Sequence, residues 1–246
     1  MYNDDMTLIA ERQAFVAVSP YDLWVTAAPL DLEPTDGMSM ADRAYVAIRD
    51  RLITLGIRPN EPIDDDLIAR DLGIGRTPVR EALKRLEYDR LVVTFSRRGT
   101  FASGVDIADL AGISEIRAQL EPLAARRAAE RASRSTRADL SDLAGRLEAI
   151  DVADLDRTEL MRWDMLAHRA IYRAAGSPHL EDVLIRYDNL ATRIFCLFLD
   201  QLSDVDTHVA EHVELLRTIA DGRADRAEEL AREHVQGFER AVRSAI

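Results

Sequence analysis

Residues 74–85 constrain the fold of this chain more than any other segment, because one predicted helix carries two stripes of opposite character. Arg76, Arg80 and Lys84 recur every fourth residue and form a cationic stripe, with Thr77 beside it. A second stripe of apolar residues lies about a third of the circumference away, at Val79, Leu83 and Leu86. The segment therefore predicts a helix that docks on a core with one face and offers arginines to DNA phosphates and base edges with the other.

The residues before this helix predict a helix-turn-helix. The helix itself can begin at Gly75 or Thr77, since Pro78 is tolerated in a first turn. Residues 66–73 read as a shorter helix that ends at a glycine, and residues 73–75 then form the turn. A supporting helix is predicted farther upstream from apolar residues at helical spacing, namely Tyr45, Ile48, Leu52 and Leu55.

The residues after the helix predict a two-stranded wing. Residues 91–95 are β-branched and aromatic, which favours a strand, and residues 101–103 can return as its partner. Residues 96–100 between them form a tight basic turn that contains Arg97, Arg98 and Gly99. Such a tip can touch a minor groove or the DNA backbone. The order of elements predicts a winged helix-turn-helix.

The run GRTPVREALKRLEYDRLVVTFSRRGTF resembles the signature of the GntR superfamily of bacterial transcription regulators, and the resemblance covers about residues 40–103. It implies DNA contacts from five residues of this chain: Arg76, Thr77, Arg80, Arg98 and Gly99. Lys84 and Arg97 extend the same basic surface and are predicted to bind DNA as well. The alternative is that the cationic stripe is only a solvated helix face.

The chain departs from the family pattern at one point that matters for DNA binding. Many members have an arginine between two acidic residues at the start of the shorter helix, and that arginine contacts DNA. This chain has Asp64-Asp65-Asp66, so that Asp65 stands where the arginine would be. An acidic side chain repels phosphates, and the departure therefore predicts an altered affinity or operator preference.

The distribution of charge separates the chain into three parts. Its 246 residues have a formal net charge of −12 and suit two modest domains. Residues 39–104 hold 12 basic and 10 acidic residues, a net charge of +2, whereas residues 105–246 carry −8. We therefore predict a DNA-binding domain at 39–104 and a helical effector-binding domain at 105–246. Residues 1–38 carry −6 and show no lasting periodicity, so they form either a disordered acidic extension or a segment that packs on a domain.

Cysteine content and the amino terminus indicate the compartment. Cys196 is the sole cysteine, which excludes an intrachain disulfide and a cysteine-based zinc site. The chain starts without the positively charged region of a signal peptide. Its longest apolar runs are far too short to span a membrane. We expect a cytoplasmic protein.

The second domain is predicted to be an antiparallel helical bundle, because it lacks strand signals and its apolar residues follow helical spacing. Breakers such as Gly176-Ser177-Pro178 and Gly222 separate its helices. Six helices are predicted, over residues 106–132, 137–151, 156–175, 178–201, 206–221 and 223–244. The fold class is therefore mostly α, with a small β-hairpin in the N-terminal domain.

Three histidines and one acid of this bundle are predicted to point inward. Asp164 and His168 lie four residues apart on one helix and share a face with apolar residues. His212 and His234 each share a face with core positions of two other helices. Burying these groups without partners would be costly, and a divalent metal would satisfy all four. His179 and His208 are instead interpreted as surface or capping residues.

The second domain resembles the FCD effector domain of the FadR subfamily. The matching segments are EIRAQLEPLAARRAA, WDMLAHRAIYRAAGSPHL and EHVELLRTIADGRADRAEELAREHV. Many such domains bind a metal through one Asp and three His, and the matching residues here are Asp164, His168, His212 and His234. The ligand types suit zinc, nickel, manganese or iron about equally, so the identity of the ion stays open.

Arg117 is the remaining candidate for ligand binding. It lies on the core side of the first bundle helix, where a guanidinium needs an anionic partner. That partner is either an internal acid, such as Asp164 or Glu121, or the carboxylate of an effector that also touches the metal. Asn189 and Arg193, four residues apart, could complete an effector pocket.

These predictions combine into a ligand-responsive transcription regulator. One recognition helix reads only a half-site, so we expect a homodimer on a near-palindromic operator, with a small organic acid as the effector. The rival class is a metal-dependent enzyme that acts on a small carboxylate, but the sequence offers no separate nucleophile or general base. A purely structural DNA-bound protein would leave the inward Asp, His and Arg without a purpose. We therefore predict a regulator and no enzymatic activity.

Overall fold

A computed structural model describes residues 39–151, 155–202 and 205–245 of the chain. The predicted N-terminal extension, residues 1–38, lies outside the described residues. The described part is mostly helical and has one small antiparallel sheet, which confirms the predicted fold class. No helix in these ranges is both long and apolar enough to cross a membrane.

Three helices form the body of the N-terminal domain: α1 at Met40–Ile53, α2 at Asp65–Leu72 and α3 at Arg76–Tyr88. The side chain of Ser39 caps α1, and that of Asp64 caps α2 by accepting from two backbone N–H groups. Gly73 ends α2 in the left-handed conformation, with a φ of 63°, which a glycine adopts at little cost. The helix-turn-helix is therefore confirmed.

One predicted position in the supporting helix is wrong. Leu55 was expected on the same helix face as Tyr45 and Leu52, but α1 ends at Ile53. The backbone of Leu55 has a φ of 61°, outside the helical range. The apolar spacing continued past the end of the helix, so periodicity alone could not place its boundary.

The wing has three strands rather than the two predicted. Strands β2, Val92–Phe95, and β3, Gly99–Ala102, form the expected hairpin. A two-residue strand, β1 at Pro62–Ile63, pairs with the other edge of β3, which gives the antiparallel order β1-β3-β2. A strand of two residues is too short to show an alternating pattern in the sequence.

Within residues 105–151, 155–202 and 205–245 the second domain has six helices, in the predicted number and order: α4 at Asp109–Arg131, α5 at Arg134–Glu148, α6 at Arg157–Ala174, α7 at Pro178–Phe198, α8 at Val205–Ala220 and α9 at Ala224–Ser244. Their ends differ from the predicted ones by a few residues. Helix α5 begins three residues early because the side chain of Ser133 caps it. Helices α4, α6, α8 and α9 pack around a common interior, where the candidate metal ligands lie.

The two domains are joined by direct contacts of α6 and α7 with the N-terminal domain. Arg193 on α7 donates hydrogen bonds to the carbonyl oxygens of Leu52, at 3.1 Å, and Ser103, at 2.7 Å. Arg162 on α6 pairs with the buried carboxylate of Asp50 at 3.0 Å. Helix α6, which lines the bundle interior, and helix α7 therefore also hold the N-terminal domain.

Candidate DNA-binding surface and metal centre

Helix α3 exposes its cationic stripe and buries its apolar one. Val79 and Leu86 are fully buried in the core of the N-terminal domain. Thr77 and the three basic residues predicted on this helix, Arg76, Arg80 and Lys84, are exposed. Their exposure leaves them able to reach a DNA groove.

The tip of the wing presents a second basic surface next to α3. Arg97, Arg98 and Gly99 are all exposed, and the turn uses left-handed backbone at Arg97 and Gly99. The guanidinium of Arg98 lies 5.6 Å from the ring centre of Phe95. A groove between the wing and α3 is lined by Arg80, Lys84, Thr94 and Thr100, among others. Three of the predicted DNA-binding residues, Arg80, Lys84 and Gly99, therefore line the same groove, and the others are exposed on α3 or at the tip of the wing.

Two acidic residues in the first turn of α2, Asp65 and Asp66, lie against this surface. The carboxylate of Asp65 accepts from the Nε of Arg80 at 2.7 Å and lies 3.5 Å from a terminal nitrogen of Arg76. The Nε of Arg76 pairs with Asp66 at 2.7 Å. Asp65, which stands where the family pattern has an arginine, thus faces Arg76 and Arg80 directly. These arginines lower the pKa of Asp65, so it remains ionised.

The four predicted metal ligands come together in the interior of the bundle. Asp164 and His168 lie on α6, His212 on α8 and His234 on α9, and all four are buried. One candidate ligand atom from each lies within 4.8 Å of all the others. The Nε2 atoms of His168 and His234 are 3.3 Å apart, and an oxygen of Asp164 lies 3.9 Å from the Nε2 of His168. Two ligands of one ion, each about 2.1 Å from it, can lie at most about 4.2 Å apart, so these two separations fit a shared ion.

Two of these ligand atoms have no hydrogen-bond partner among the described residues. They are the Oδ1 of Asp164 and the Nε2 of His212. The other ring nitrogen of His212 lies 3.3 Å from the carbonyl oxygen of Val209, which can only accept. This contact assigns the proton to Nδ1 and leaves the Nε2 lone pair free. A buried acceptor pair without donors is the arrangement that a metal ion satisfies.

Acidic and phenolic side chains contact the Nδ1 atoms of two of the histidines, His168 and His234. Glu121 lies 3.3 Å from the Nδ1 of His168, and the hydroxyl of Tyr172 lies 3.1 Å from the same atom. Glu211 lies 2.7 Å from the Nδ1 of His234. A carboxylate that accepts from Nδ1 turns the Nε2 lone pair toward the ion and raises its basicity. Glu121 and Glu211 lie on helices other than those of the histidines that they contact, so sequence spacing does not indicate these pairs. Tyr172 follows His168 by one helical turn, and this spacing could have indicated its contact.

Burial and charge shift the pKa values of the cluster in opposite directions. Burial raises the pKa of the Asp164 carboxyl to about 7. Burial would lower the pKa of His168, but the carboxylates of Glu121, Asp188 and Asp164 outweigh it and raise the value to about 9. Burial and the neighbouring cations lower the pKa of His212 and of His234 well below the usual range, which keeps both imidazoles neutral. Neutral imidazoles are the form that binds a metal.

The interpretation of His208 as a surface or capping residue is wrong. Its ring is buried and stacks on that of His234, with centroids 4.2 Å apart. Its Nε2 lies 3.5 Å from the Oδ1 of Asp164. His208 precedes His212 by one helical turn, and this spacing was the signal in the sequence that could have placed it on the same face. His179 is exposed in the first turn of α7, as predicted.

Arg117 lies beside the metal ligands and already has anionic partners. It is buried on α4, and its Nε donates to the carboxylate of Glu121. A second nitrogen lies 3.4 Å from Asp188, whose two carboxylate oxygens make no hydrogen bond to a described residue. Glu121 was one of the two internal acids considered for Arg117. The guanidinium also holds Glu121 in place against His168, and it therefore positions a histidine of the cluster.

The other two residues predicted to bind an effector do not share a site. The side-chain oxygen of Asn189 accepts from Arg169 at 2.6 Å, next to Asp188. Arg193 instead points to the N-terminal domain, where two backbone carbonyls occupy its guanidinium. The sequence could not distinguish these directions. Helical spacing shows that both residues lie on one face of α7, but it does not show which neighbouring element each turn of that face meets.

Comparison with known families accounts for most of the chain. The profile of the family described as bacterial regulatory proteins, gntR family, matches residues 40–102. The profile described as FCD domain matches residues 112–237. These two ranges contain the helix-turn-helix with its wing and the buried histidine cluster, respectively.

Individual relatives resemble the chain over most of its length. The Nta operon transcriptional regulator of Aminobacter aminovorans is 29% identical over 185 residues, which cover 75% of this chain and 85% of the relative. The HTH-type transcriptional repressor GlaR of Escherichia coli is 25% identical over 198 residues, 78% of this chain and 90% of the relative. The solved structure of E. coli McbR/YncC has the same fold, with a TM-score of 0.73 at 20% identity, covering 84% of this chain and 98% of that one.

Proposed function

Because this chain belongs to the gntR family of bacterial regulatory proteins and carries an FCD domain, we propose that a small organic acid controls its affinity for DNA. The chain is a DNA-binding transcription regulator with an effector domain, and the names of its family and relatives point to a regulator rather than an enzyme. In the proposed mechanism, the acid binds near a metal ion inside the helical bundle. The bound acid then changes how the DNA-binding domain is held.

One observation carries the metal part of this proposal. Four buried residues on three helices each offer a ligand atom within 4.8 Å of the others, and the Oδ1 of Asp164 and the Nε2 of His212 have no hydrogen-bond partner among the described residues. Asp164, His168, His212 and His234 would hold the ion, and Glu121 and Glu211 would orient two of the histidines. A divalent ion there would supply positive charge that attracts an anionic ligand.

The charges around the cluster make binding of an acid depend on the metal. Three buried carboxylates, those of Asp164, Glu121 and Asp188, outnumber the two cations that contact them, the guanidinium of Arg117 and the imidazole of His168. An organic anion would be repelled from this arrangement, because like charges interact strongly where water is excluded. A divalent ion offsets the excess negative charge. We therefore expect the acid to bind only to the metal-loaded protein.

Two helices connect the cluster to the DNA-binding domain. Helix α6 carries Asp164, and two residues earlier it carries Arg162, which pairs with Asp50 of α1. Helix α7 carries Asp188 near Arg117, and one turn later it carries Arg193, which bonds to Leu52 and Ser103. A ligand that shifts α6 or α7 would therefore shift the DNA-binding domain. Such control needs a difference in affinity for the acid between two arrangements of the domains.

We further propose that the chain acts as a homodimer on a near-palindromic operator. Each chain carries one winged helix, and one recognition helix reads a single half-site. Two-fold symmetry would place two such helices in successive major grooves. The mass of the protein–DNA complex in solution tests this directly, since a complex of one chain on one half-site would contradict it.

A thermal-shift experiment tests the effector proposal. Purified full-length protein is loaded with zinc, nickel or manganese and mixed with a panel of small mono- and dicarboxylic acids. We expect at least one acid to raise the melting temperature of the metal-loaded protein and to leave the metal-stripped protein unchanged. An acid that stabilises both forms equally would show that the metal takes no part in effector binding.

Replacing Arg193 with alanine is expected to weaken the communication between the domains. The change leaves two carbonyl oxygens at the domain junction, one of them fully buried, without their donor and costs about 1–3 kcal/mol of stability. We expect the effect of the acid on operator affinity to fall, whereas binding of the acid itself persists. The operator affinity is measured by titration with and without acid, and acid binding by calorimetry.

The matched control for this prediction is Arg186→Ala. Arg186 also lies on α7 and approaches the N-terminal domain. Its contact with Asp89 is longer, at 3.7 Å, and its side chain is partly exposed. The control should leave the response to the acid nearly intact. If Arg193→Ala also retains the full response, communication between the domains does not run through this contact.

A further inference from the structure

The acidic start of α2 is a feature that DNA binding by the basic surface does not explain. Asp64, Asp65 and Asp66 lie beside the arginines that are expected to meet DNA. Asp64 has a local role, because its side chain caps α2. Asp65 and Asp66 lie in the first turn of α2, where an acid stabilises the helix dipole, and both also direct their carboxylates at α3.

The short contacts of these two acids are made with the Nε of each arginine, and the longer contact of Asp65 with a terminal nitrogen of Arg76 is 3.5 Å. Asp65 binds Arg80 through Nε, at 2.7 Å, and Asp66 binds Arg76 through Nε, also at 2.7 Å. The terminal nitrogens of Arg80 make no hydrogen bond to a described residue, and its side chain is 60% exposed. Each acid therefore holds the inner part of an arginine and leaves all or most of the outer fork free.

We propose that Asp65 and Asp66 are specificity-determining residues that suppress binding to non-operator DNA. Binding to random DNA depends almost entirely on contacts with phosphates. For such contacts, an arginine that is paired with an acid gains little by exchanging one anion for another, and the acid itself repels the backbone. Binding to the operator includes hydrogen bonds to base edges, which the free outer fork can still make.

Geometry also favours base reading over phosphate binding by these arginines. A guanine presents two acceptors that suit the paired terminal nitrogens of an arginine. Because Nε of Arg80 is held by Asp65, the side chain has less freedom to turn toward the backbone. The held arginine loses less conformational entropy when it meets the correct base.

The test compares two substitutions that remove one negative charge each from α2. Asp66→Asn removes the acid that binds the Nε of Arg76, whereas the control Asp71→Asn removes an exposed acid that pairs with Arg51 of α1 at 3.3 Å. The probes are a duplex selected from random sequence by the wild-type protein and a scrambled duplex of the same composition. Full-length proteins are titrated against both duplexes at several salt concentrations.

We expect Asp66→Asn to raise affinity for the scrambled duplex by about five- to tenfold and to make its salt dependence steeper by about one unit of slope, as one freed arginine would. Affinity for the selected duplex should change much less, so the ratio of the two affinities falls. Asp66→Glu, which keeps the charge, should retain most of the wild-type ratio of the affinity for the selected duplex to that for the scrambled duplex. The double change Asp65→Asn with Asp66→Asn should lower the ratio further.

The control and the salt dependence decide the outcome. If Asp71→Asn changes both duplexes as much as Asp66→Asn does, the effect is one of net charge and the proposal is wrong. An unchanged ratio in the double variant, with circular dichroism showing a folded protein, would also overturn it. Neither result depends on the metal or the effector, so this inference and the proposed function can fail separately.

Discussion

Replacing His212 with alanine is expected to remove the bound metal and to lower the melting temperature by about 10 °C. A metal present at a thousand times its dissociation constant stabilises a protein by about 4 kcal/mol, and each kcal/mol shifts the melting point of a chain of this size by about 2–4 °C. His212 is fully buried and its Nε2 has no other partner among the described residues. Metal content by mass spectrometry and calorimetric melting provide the measurement.

The exposed His179 supplies the matched control for this prediction. His179→Ala changes the same residue type on the surface of α7, away from the cluster, and should alter neither metal content nor melting temperature. Adding a chelator should lower the melting temperature of the wild-type protein to that of His212→Ala and leave the variant unchanged. If wild-type protein carries no metal and the chelator has no effect, the cluster is a hydrogen-bonded core and no metal site.

Replacing Arg80 with alanine is expected to weaken operator binding by about 1–3 kcal/mol, roughly 5- to 150-fold, and to relax the preference at one base pair. Arg80 lies in the middle of the exposed stripe of α3 and next to the groove toward the wing. Its removal also leaves Asp65 without its partner, which adds repulsion toward phosphates. Titration of the selected duplex and of its single-base variants measures both effects.

Arg51→Ala is the control for the role of Arg80. Arg51 is a half-exposed arginine of α1 that pairs with Asp71, outside the surface formed by α3 and the wing. It should change operator affinity only slightly and leave base preference intact. Equal losses from both substitutions, with unchanged base preference, would mean that α3 does not read the operator in the way that its exposed stripe indicates.

The helix-turn-helix could be predicted because its determinants are local. The spacing of Val79, Leu83 and Leu86 defines the buried face of α3, and Gly73 marks the end of α2. The four metal ligands could not be predicted from local spacing alone, because their coming together depends on how three helices pack. Inward orientation could be predicted for each from its apolar neighbours, and the resemblance to the FCD domain suggested their combination.

The remaining features depend on tertiary packing, which cannot be predicted from the local sequence pattern. Strand β1 exists only because β3 offers a free edge to it. The direction of Arg193 follows from the docking of α7 on the N-terminal domain, and the pairing of Asp66 with Arg76 from the angle between α2 and α3. His208 was misplaced because its position near the start of α8 suggested capping, whereas the packing of α9 covers it.

The measurement that tests the central claim most directly is the operator affinity of metal-loaded and metal-stripped protein, titrated with the acid that gives the largest thermal shift. The account predicts that the acid changes the dissociation constant for the selected duplex by about tenfold, a typical coupling between sites. It predicts no change in metal-stripped protein or in His212→Ala. An acid that changes operator affinity equally in all three forms would contradict control through the buried metal centre.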